Sequence, residues 1–371
     1  MRRTTVTESS PARRVLPAEW EPHRAVWLGW PTKISDWSPK FQAIPWVYGE
    51  MVRWLAASEK VRLLVDDERV EARARSVLTR AGMAQELPGV RFVRQPTDRG
   101  WTRDFMPFFT VGRAEDGSAI SGSGMAVDCG FTGWARYPDH TLDDAVSVGC
   151  AAELGWDIRT AEYDGRRLVL EGGGVDTDGA GTVLVTEEWL LDTEVQVRNP
   201  GMTRQDYEAA FAKLFGTDNT IWLGRGIAGD DTHGHVDDFC RFVGPGRILL
   251  CREPDGGDVN HRPLEENRER LEDARLTDGS KPEVVFLPMP QPVWFDGMRL
   301  PASYGNFYIG NSVVLVPTFN DPNDRAALGI LAECFPDRRV VGIHAVDLAL
   351  GFGGVHCLTH EQPEALAESD G

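Results

Sequence analysis

The sequence has no paired-cysteine spacing. Its six cysteines stand at positions 129, 150, 240, 251, 334 and 357, and no two form a CxxC. That argues against a zinc ribbon or a disulfide framework and for reduced thiols, one of which is free to act as a nucleophile. No apolar run approaches the ~18 residues of a membrane span. The opening stretch MRRTTVTESSPARRV has charge but no apolar segment, which reads as a loose tail over residues 1–15 rather than a signal peptide, in a cytoplasmic protein. A P-loop GxxxxGK[ST] is absent, and the glycines of EGGGVDTDG lead into the β-rich TVLVTEE rather than a helix, so a dinucleotide-binding turn is excluded too. Basic residues are in deficit. Lys and Arg total 39 against 57 Asp and Glu, a net charge of −18 that repels nucleic acid and anionic membranes and favours cationic ligands.

What is present is a rhythm. Amphipathic stretches at Glu68–Gly82, Leu142–Leu154, Thr203–Phe215, Arg262–Ala274 and Pro322–Phe335 predict helices whose starts lie about 60 to 74 residues apart. An extra helix is predicted over Phe41–Ser58. Each of the five is followed by a β-rich segment: Val90–Val93, Trp156–Arg159, Thr220–Leu223, Glu283–Leu287 and Arg339–Ile343. Each of these in turn precedes a loop of glycine and polar residues: GWTRD, LEGGG, DTHGHVDD, LPASYGN and GFGGVHC. Alternating helices and strands imply an α/β protein. Five similar units, each ending in one polar loop, fit a radial arrangement in which the loops converge on one site. No composition shift divides the chain, so residues 16–363 read as a single domain, with a loose end at 364–371.

The converging loops bring Asp104, Glu171, His235, Asp237, Asn306 and Cys357 into one set. A thiol becomes nucleophilic beside a base or a cation, and an imidazole moves protons near neutral pH. A carboxylate fixes that imidazole's tautomer, and two aspartates can grip a guanidinium through paired charge-assisted hydrogen bonds. Asn306 reads as structural.

These segments resemble the agmatine deiminase family, of the bacterial peptidyl-arginine deiminase type within the guanidine-modifying superfamily. The resemblance runs from LPAEWEPHRAVWLGWP (residues 16–31) through WTRDFMP, LEGGGVDTDGAGTVLVTEEWLL, VRNPGMT, WLGRG, DDTHGHVDDF, ASYGNFYIGNSVVLVPTF and FPDRRVVGI to GGVHCLTHEQP. It implies a five-bladed α/β-propeller, the pentein fold, of ββαβ units around a central channel. By the same resemblance, Cys357 is the nucleophile, His235 the general acid and base, and Glu171 the carboxylate that holds the histidine. Asp104 and Asp237 become the guanidinium-binding pair, Trp101 packs along the substrate's methylene chain, Asp231 lies near its distal amine, and Gly353 borders the substrate beside the nucleophile. The substrate implied is a small cationic guanidino compound, with no cofactor, no metal, and room in the reading for a homo-oligomer.

The chain departs from the family pattern at Phe105 and Met106, at His233, and at Phe352 and Gly354; an apparent extra residue precedes Trp101, where Arg99 and Gly100 stand. The resemblance implies hydrolysis of agmatine to N-carbamoylputrescine and ammonia through a covalent thiouronium, and these changes leave open a reshaped pocket that favours a different guanidino compound over agmatine. Three other readings compete. THGHVDD opens an HxHxD metal signature, but Asp238 stands where its final histidine belongs, and His23, His140, His261, His344, His356 and His360 supply no matching ligand pattern. A non-catalytic binding module would have eroded the axial loops. An amidinotransferase would use the same thiol and hand the amidino group to an amine.

Overall fold

A computed structural model describes residues 13–368. The predicted helices and strands are present with small shifts of boundary. Glu68–Arg80 forms where Val70, Ala74 and Leu78 recur on one buried face; Asp67 caps its start by accepting from the Val70 amide, with Glu68 and Glu71 in the first turn and Arg80 in the last. Arg204–Phe215 begins in a reciprocal capping box of Thr203 and Asp206 and ends at Gly216, whose φ of +65° supplies the left-handed cap. The segment expected over Leu142–Leu154 is broken into Thr141–Asp144 and Val146–Leu154.

Five sheets of three or four strands carry the architecture. In each, an antiparallel pair is followed by a helical crossover to a parallel strand. The third sheet pairs Asp176–Thr177 with Thr182–Thr186, crosses through Arg204–Phe215 and adds Asn219–Leu223. Cys240–Gly244, Arg247–Arg252 and Glu283–Pro288 form the fourth, and Tyr308–Ile309, Val313–Thr318 and Arg339–His344 the fifth. The second is built on Phe108–Arg113, Met125–Asp128 and Ile158–Thr160. The first joins distant parts of the chain: His360–Pro363 lies antiparallel to His23–Gly29, which continues in parallel to Lys60–Val65 and Val90–Arg94. Central strands such as VVLVPT are apolar on both faces, as expected where helices cover a sheet.

The described ends of the chain depart from the expected loose tails. Residues 1–12 lie outside the described part, but Arg13–Val15 adds an antiparallel strand to Phe108–Arg113. At the other end Ala365 and Leu366 are buried, and Glu368 pairs with Arg62 at 2.6 Å. Residues 369–371 are not described.

In every sheet the last parallel strand leads into a connection that begins the next sheet, and the fifth connection returns to the first. Those five connections hold, in order, Trp101–Asp104, Glu171, His235–Asp237, Asn306 and Cys357. Side chains from residues far apart in sequence thus leave the same ends of the strands, where α/β folds place their ligands.

Candidate active site

Asp104 sits in a single buried helical turn, Thr102–Phe105, and Glu171 immediately precedes the turn Gly172–Gly174. His235 immediately precedes the turn Val236–Asp238, and Asp237 is its middle residue. Cys357 lies three residues before the strand that closes the first sheet. All five are buried.

The structure brings these residues into contact. His235 Nδ1 lies 3.7 Å from Asp104 Oδ1, and its Nε2 lies 3.6 Å from Glu171 Oε2. Cys357 Sγ is 3.8 Å from Asp237 Oδ2. Asp104 is fixed by the Trp134 indole at 2.9 Å and the Gly173 amide at 3.0 Å. Glu171 accepts from Trp189 Nε1 at 2.7 Å and from Arg198 Nε at 3.1 Å. Asp237 Oδ2 meets His356 Nδ1 at 2.7 Å, and the other ring nitrogen of His356 meets Glu19 at 2.7 Å. Trp134, Trp189, Arg198, His356 and Glu19 are assigned no site role by the sequence, although all but Trp134 stand within the segments that carry the resemblance, since each is an ordinary core or ion-pair residue until its partner is known.

The carboxylates set the electrostatics. Burial alone would lower the His235 pKa, but Asp104, Glu171 and Asp237 overcome it and raise the ring to about 9. Burial is also the largest influence on Asp104; together with Asp237 and Glu171 it outweighs the opposing pull of His235 and raises the carboxyl to about 6. Glu171 goes the other way, to about 2, because Arg198 and His235 outweigh its burial. Burial pushes the Cys357 thiol well above its usual range, and Asp237, Asp238 and Asp104 push it further. Burial and the carboxylates thus both oppose ionisation of the thiol.

Asp104 and Cys357 border a cavity of about 160 Å³, whose walls include Trp101, Trp134, Tyr137, Asp231, Phe352 and Gly353. Trp101 packs against Trp37 with ring centroids 5.2 Å apart and donates to Asp36. At Gly353 a Cβ would fall 2.6 Å from the Trp101 ring and 3.2 Å from Cys357 Cβ, so a side chain there would close the space between them. Asp231 is at the cavity but not free: Tyr137 donates to it at 2.5 Å and Arg136 at 3.0 Å. Arg99, also lining the cavity, is paired with Asp36 and Asp139.

Not every departure from the family pattern reaches this cavity. Phe105 and Met106 are buried in the main apolar core, Phe105 against Phe131, and do not line the cavity. The His233 ring turns to Asp192 at 2.8 Å, also away from the lining. With His233 engaged there, the two histidines and the aspartate of HxHxD do not meet; the metal-capable grouping among the described residues is Asp237, Asp238 and Cys357. Phe352 does line the cavity, in a left-handed conformation with φ +65°, an unusual setting for a bulky residue.

A family model for Porphyromonas-type peptidyl-arginine deiminase matches residues 15–363. The chain belongs to that family. Agmatine deiminases of Pseudomonas putida and Stutzerimonas stutzeri are 32% and 33% identical to it over 371 residues, each alignment covering 94% of this chain and 95% of the relative. Among solved structures, the agmatine deiminase of Enterococcus faecalis superposes with a TM-score of 0.85 at 26% identity, covering 96% of this chain and 99% of that one. The substrate-bound agmatine deiminase of C. jejuni gives 0.80 at 26% identity, covering 94% and 96%. The family member described here is therefore an enzyme of the deiminase type, with a mixed α/β fold shared with these structures. None of its helices in the described part is long and apolar enough to cross a membrane.

Proposed function

We propose that the protein is a cysteine-dependent deiminase of a small guanidino compound, converting agmatine to N-carbamoylputrescine and ammonia. One observation carries the reading. Among the described residues, Asp237 Oδ1 is a buried carboxylate oxygen with no hydrogen-bond partner, and the two His235 ring nitrogens have none closer than their carboxylate contacts at 3.6 and 3.7 Å. A Cβ placed on Gly173 would lie 2.7 Å from His235 Nδ1, 2.9 Å from Asp104 Oδ1 and 3.1 Å from Asp237 Oδ1. Acceptors and an imidazole thus converge on one small space beside Cys357, and buried groups left in this state ask for a polar, cationic ligand.

In this reading Asp104 and Asp237 hold the guanidinium, whose charge favours loss of the Cys357 proton to solvent, where it ends on the released ammonia. Sulfur attacks the central carbon to give a tetrahedral intermediate, and His235, protonated at neutral pH, donates to the departing ammonia. The remaining thiouronium is attacked by water, whose proton His235 takes, and the C–S bond breaks to release the ureido product and the free thiol. Glu171 orients the histidine. Trp101, Gly353 and Asp231 border the rest of the substrate. The five connections are taken to surround one channel, as blades of a propeller. The reading needs no cofactor or metal, places the enzyme in the cytoplasm, where its thiol stays reduced, and leaves room for a homo-oligomer.

Incubation with agmatine and quantitation of ammonia and ureido product tests the reaction. With His235→Gln, mass spectrometry of the quenched mixture is expected to show a covalent adduct on Cys357, because both later proton transfers are slowed; turnover without any adduct in either form counts against the scheme. The pH profile is a second expectation. Asp104 must be ionised to bind a cation, so kcat/KM falls as pH drops through about 6; His235 must be protonated to release ammonia, so it falls again as pH rises through about 9. A third concerns the distal end. Arg136→Ala releases Asp231 from its cation, and kcat/KM for agmatine relative to a guanidino compound without an amine is expected to rise roughly threefold or more; an unchanged ratio removes Asp231 from the substrate's surroundings.

A further inference from the structure

The mechanism above leaves one buried amide at the reacting centre without a task. Asn306 comes from the fourth connection, is buried, and reaches the turn that carries both aspartates and the loop that carries the thiol. Its Nδ2 lies 3.1 Å from Cys357 Sγ, 3.2 Å from Asp237 Oδ2 and 3.0 Å from Asp238 Oδ1. Its Oδ1 accepts from the backbone amides of His356 at 2.9 Å and Cys357 at 3.3 Å.

We propose that Asn306 is the positioning residue of the nucleophile, holding the Cys357 sulfur at the Asp237–Asp238 carboxyl pair and donating to it as its proton leaves. An amide has two N–H bonds, and three acceptors share them here. The sulfur competes best for a donor when it is anionic, because a hydrogen bond to an ionised acceptor is the stronger one. The same three acceptors place ligand atoms within 4.8 Å of one another, so without a donor between them the cluster would oppose any negative charge on sulfur. Asp237, Asp238 and Asp104 resist the thiolate and the Gly354 backbone amide favours it; Asn306 is the neutral side chain that adds a second donor against the carboxylates. The carbonyl half fixes the loop: two backbone amides bind one oxygen, which sets where residue 357 emerges. Gly354 belongs to this arrangement. A Cβ there would fall 2.5 Å from Asn306 Oδ1 and 3.0 Å from its Cγ, so the loop can receive the amide only where position 354 has no side chain.

The inference rests on Cys357 as the nucleophile, so its test uses a readout that needs no guanidino substrate. The rate of Cys357 alkylation by iodoacetamide is measured against pH, with the modified residue located by peptide mass spectrometry, in the wild type, Asn306→Ala and Asn306→Asp. The expected result is an alkylation midpoint raised by about one pH unit in Asn306→Ala and by more in Asn306→Asp, which keeps the shape and turns a donor into an acceptor. With agmatine, kcat is expected to fall at least about tenfold while KM stays within about threefold, since the interaction strengthens only as sulfur gains charge. Wild-type midpoints in a folded variant overturn the proposal. If Asn306→Ala does not fold, the isosteric Asn306→Asp decides alone. Should no guanidino compound be turned over while the alkylation midpoint still moves, the reaction proposed above fails and the role of Asn306 stands.

Discussion

Cys357→Ala is expected to lower agmatine turnover by at least about 10⁴-fold, the scale seen when a covalent nucleophile is removed from a site whose other parts remain. The thiol makes little of the surrounding structure. Its sulfur makes only weak contacts, to Asn306 and to Asp237 at 3.8 Å, so the melting temperature should change by no more than about 5 °C. Ammonia release and calorimetry on the same preparation check both halves. Hydrolysis within tenfold of the wild type would show that water attacks the guanidinium directly and that the sulfur is a bystander.

Gly173→Ala is the second large effect. Gly173 lies in the turn Gly172–Gly174 and is not among the residues with positive φ, so alanine can adopt its backbone without strain. Its methyl would enter the space bounded by His235 Nδ1, Asp104 Oδ1 and Asp237 Oδ1, where the guanidinium is proposed to lie. Substrate and methyl cannot share it. We expect kcat/KM to fall about 10³-fold, equivalent to about 4 kcal/mol of transition-state binding. The alkylation rate of Cys357 should change far less than kcat/KM, because the methyl's nearest neighbours are His235, Asp104 and Asp237 and not Asn306, the side chain that donates to the sulfur. Steady-state kinetics beside an alkylation time course separates this from a collapse of the site.

The helices and the last parallel strand of each sheet were legible in the sequence because their apolar periodicity is local: Val70, Ala74 and Leu78 announce a buried face without knowledge of anything else in the chain. The short strands were not. Asp176–Thr177 and Tyr308–Ile309 are two residues long and carry no period of their own; they exist because a neighbouring strand offers them hydrogen bonds. Arg13–Val15 was hidden for the same reason, its charged RRV reading as tail until Phe108–Arg113 is beside it. At the site, Asp104, His235, Asp237 and Cys357 stood out through the motifs around them. Trp134, Trp189 and Arg198 did not, since a tryptophan that orients a carboxylate and one that fills a core look alike in sequence. The pocket departures divide by the same rule. Whether Met106, His233 or Phe352 faces the cavity depends on the turn of the backbone and on partners such as Asp192, which no spacing reveals.

The pairing of His360–Pro363 with His23–Gly29 bears on when the chemistry can begin. Because chains are made from the amino end, the carboxylates and the imidazole exist well before the sulfur does: Asp104, Glu171, His235 and Asp237 all precede Cys357. Even a chain made through residue 357 lacks the strand that ties this loop to the first sheet, a contact spanning almost the whole described sequence and closed only against a large loss of loop entropy. The thiol is thus the last part of the site to be synthesised and is held in place by one of the most long-range contacts in the fold. In the proposed reaction, a nascent or truncated chain carries the acidic cradle without the reactive group, and the ability to attack a guanidinium arrives only with the last of the five connections.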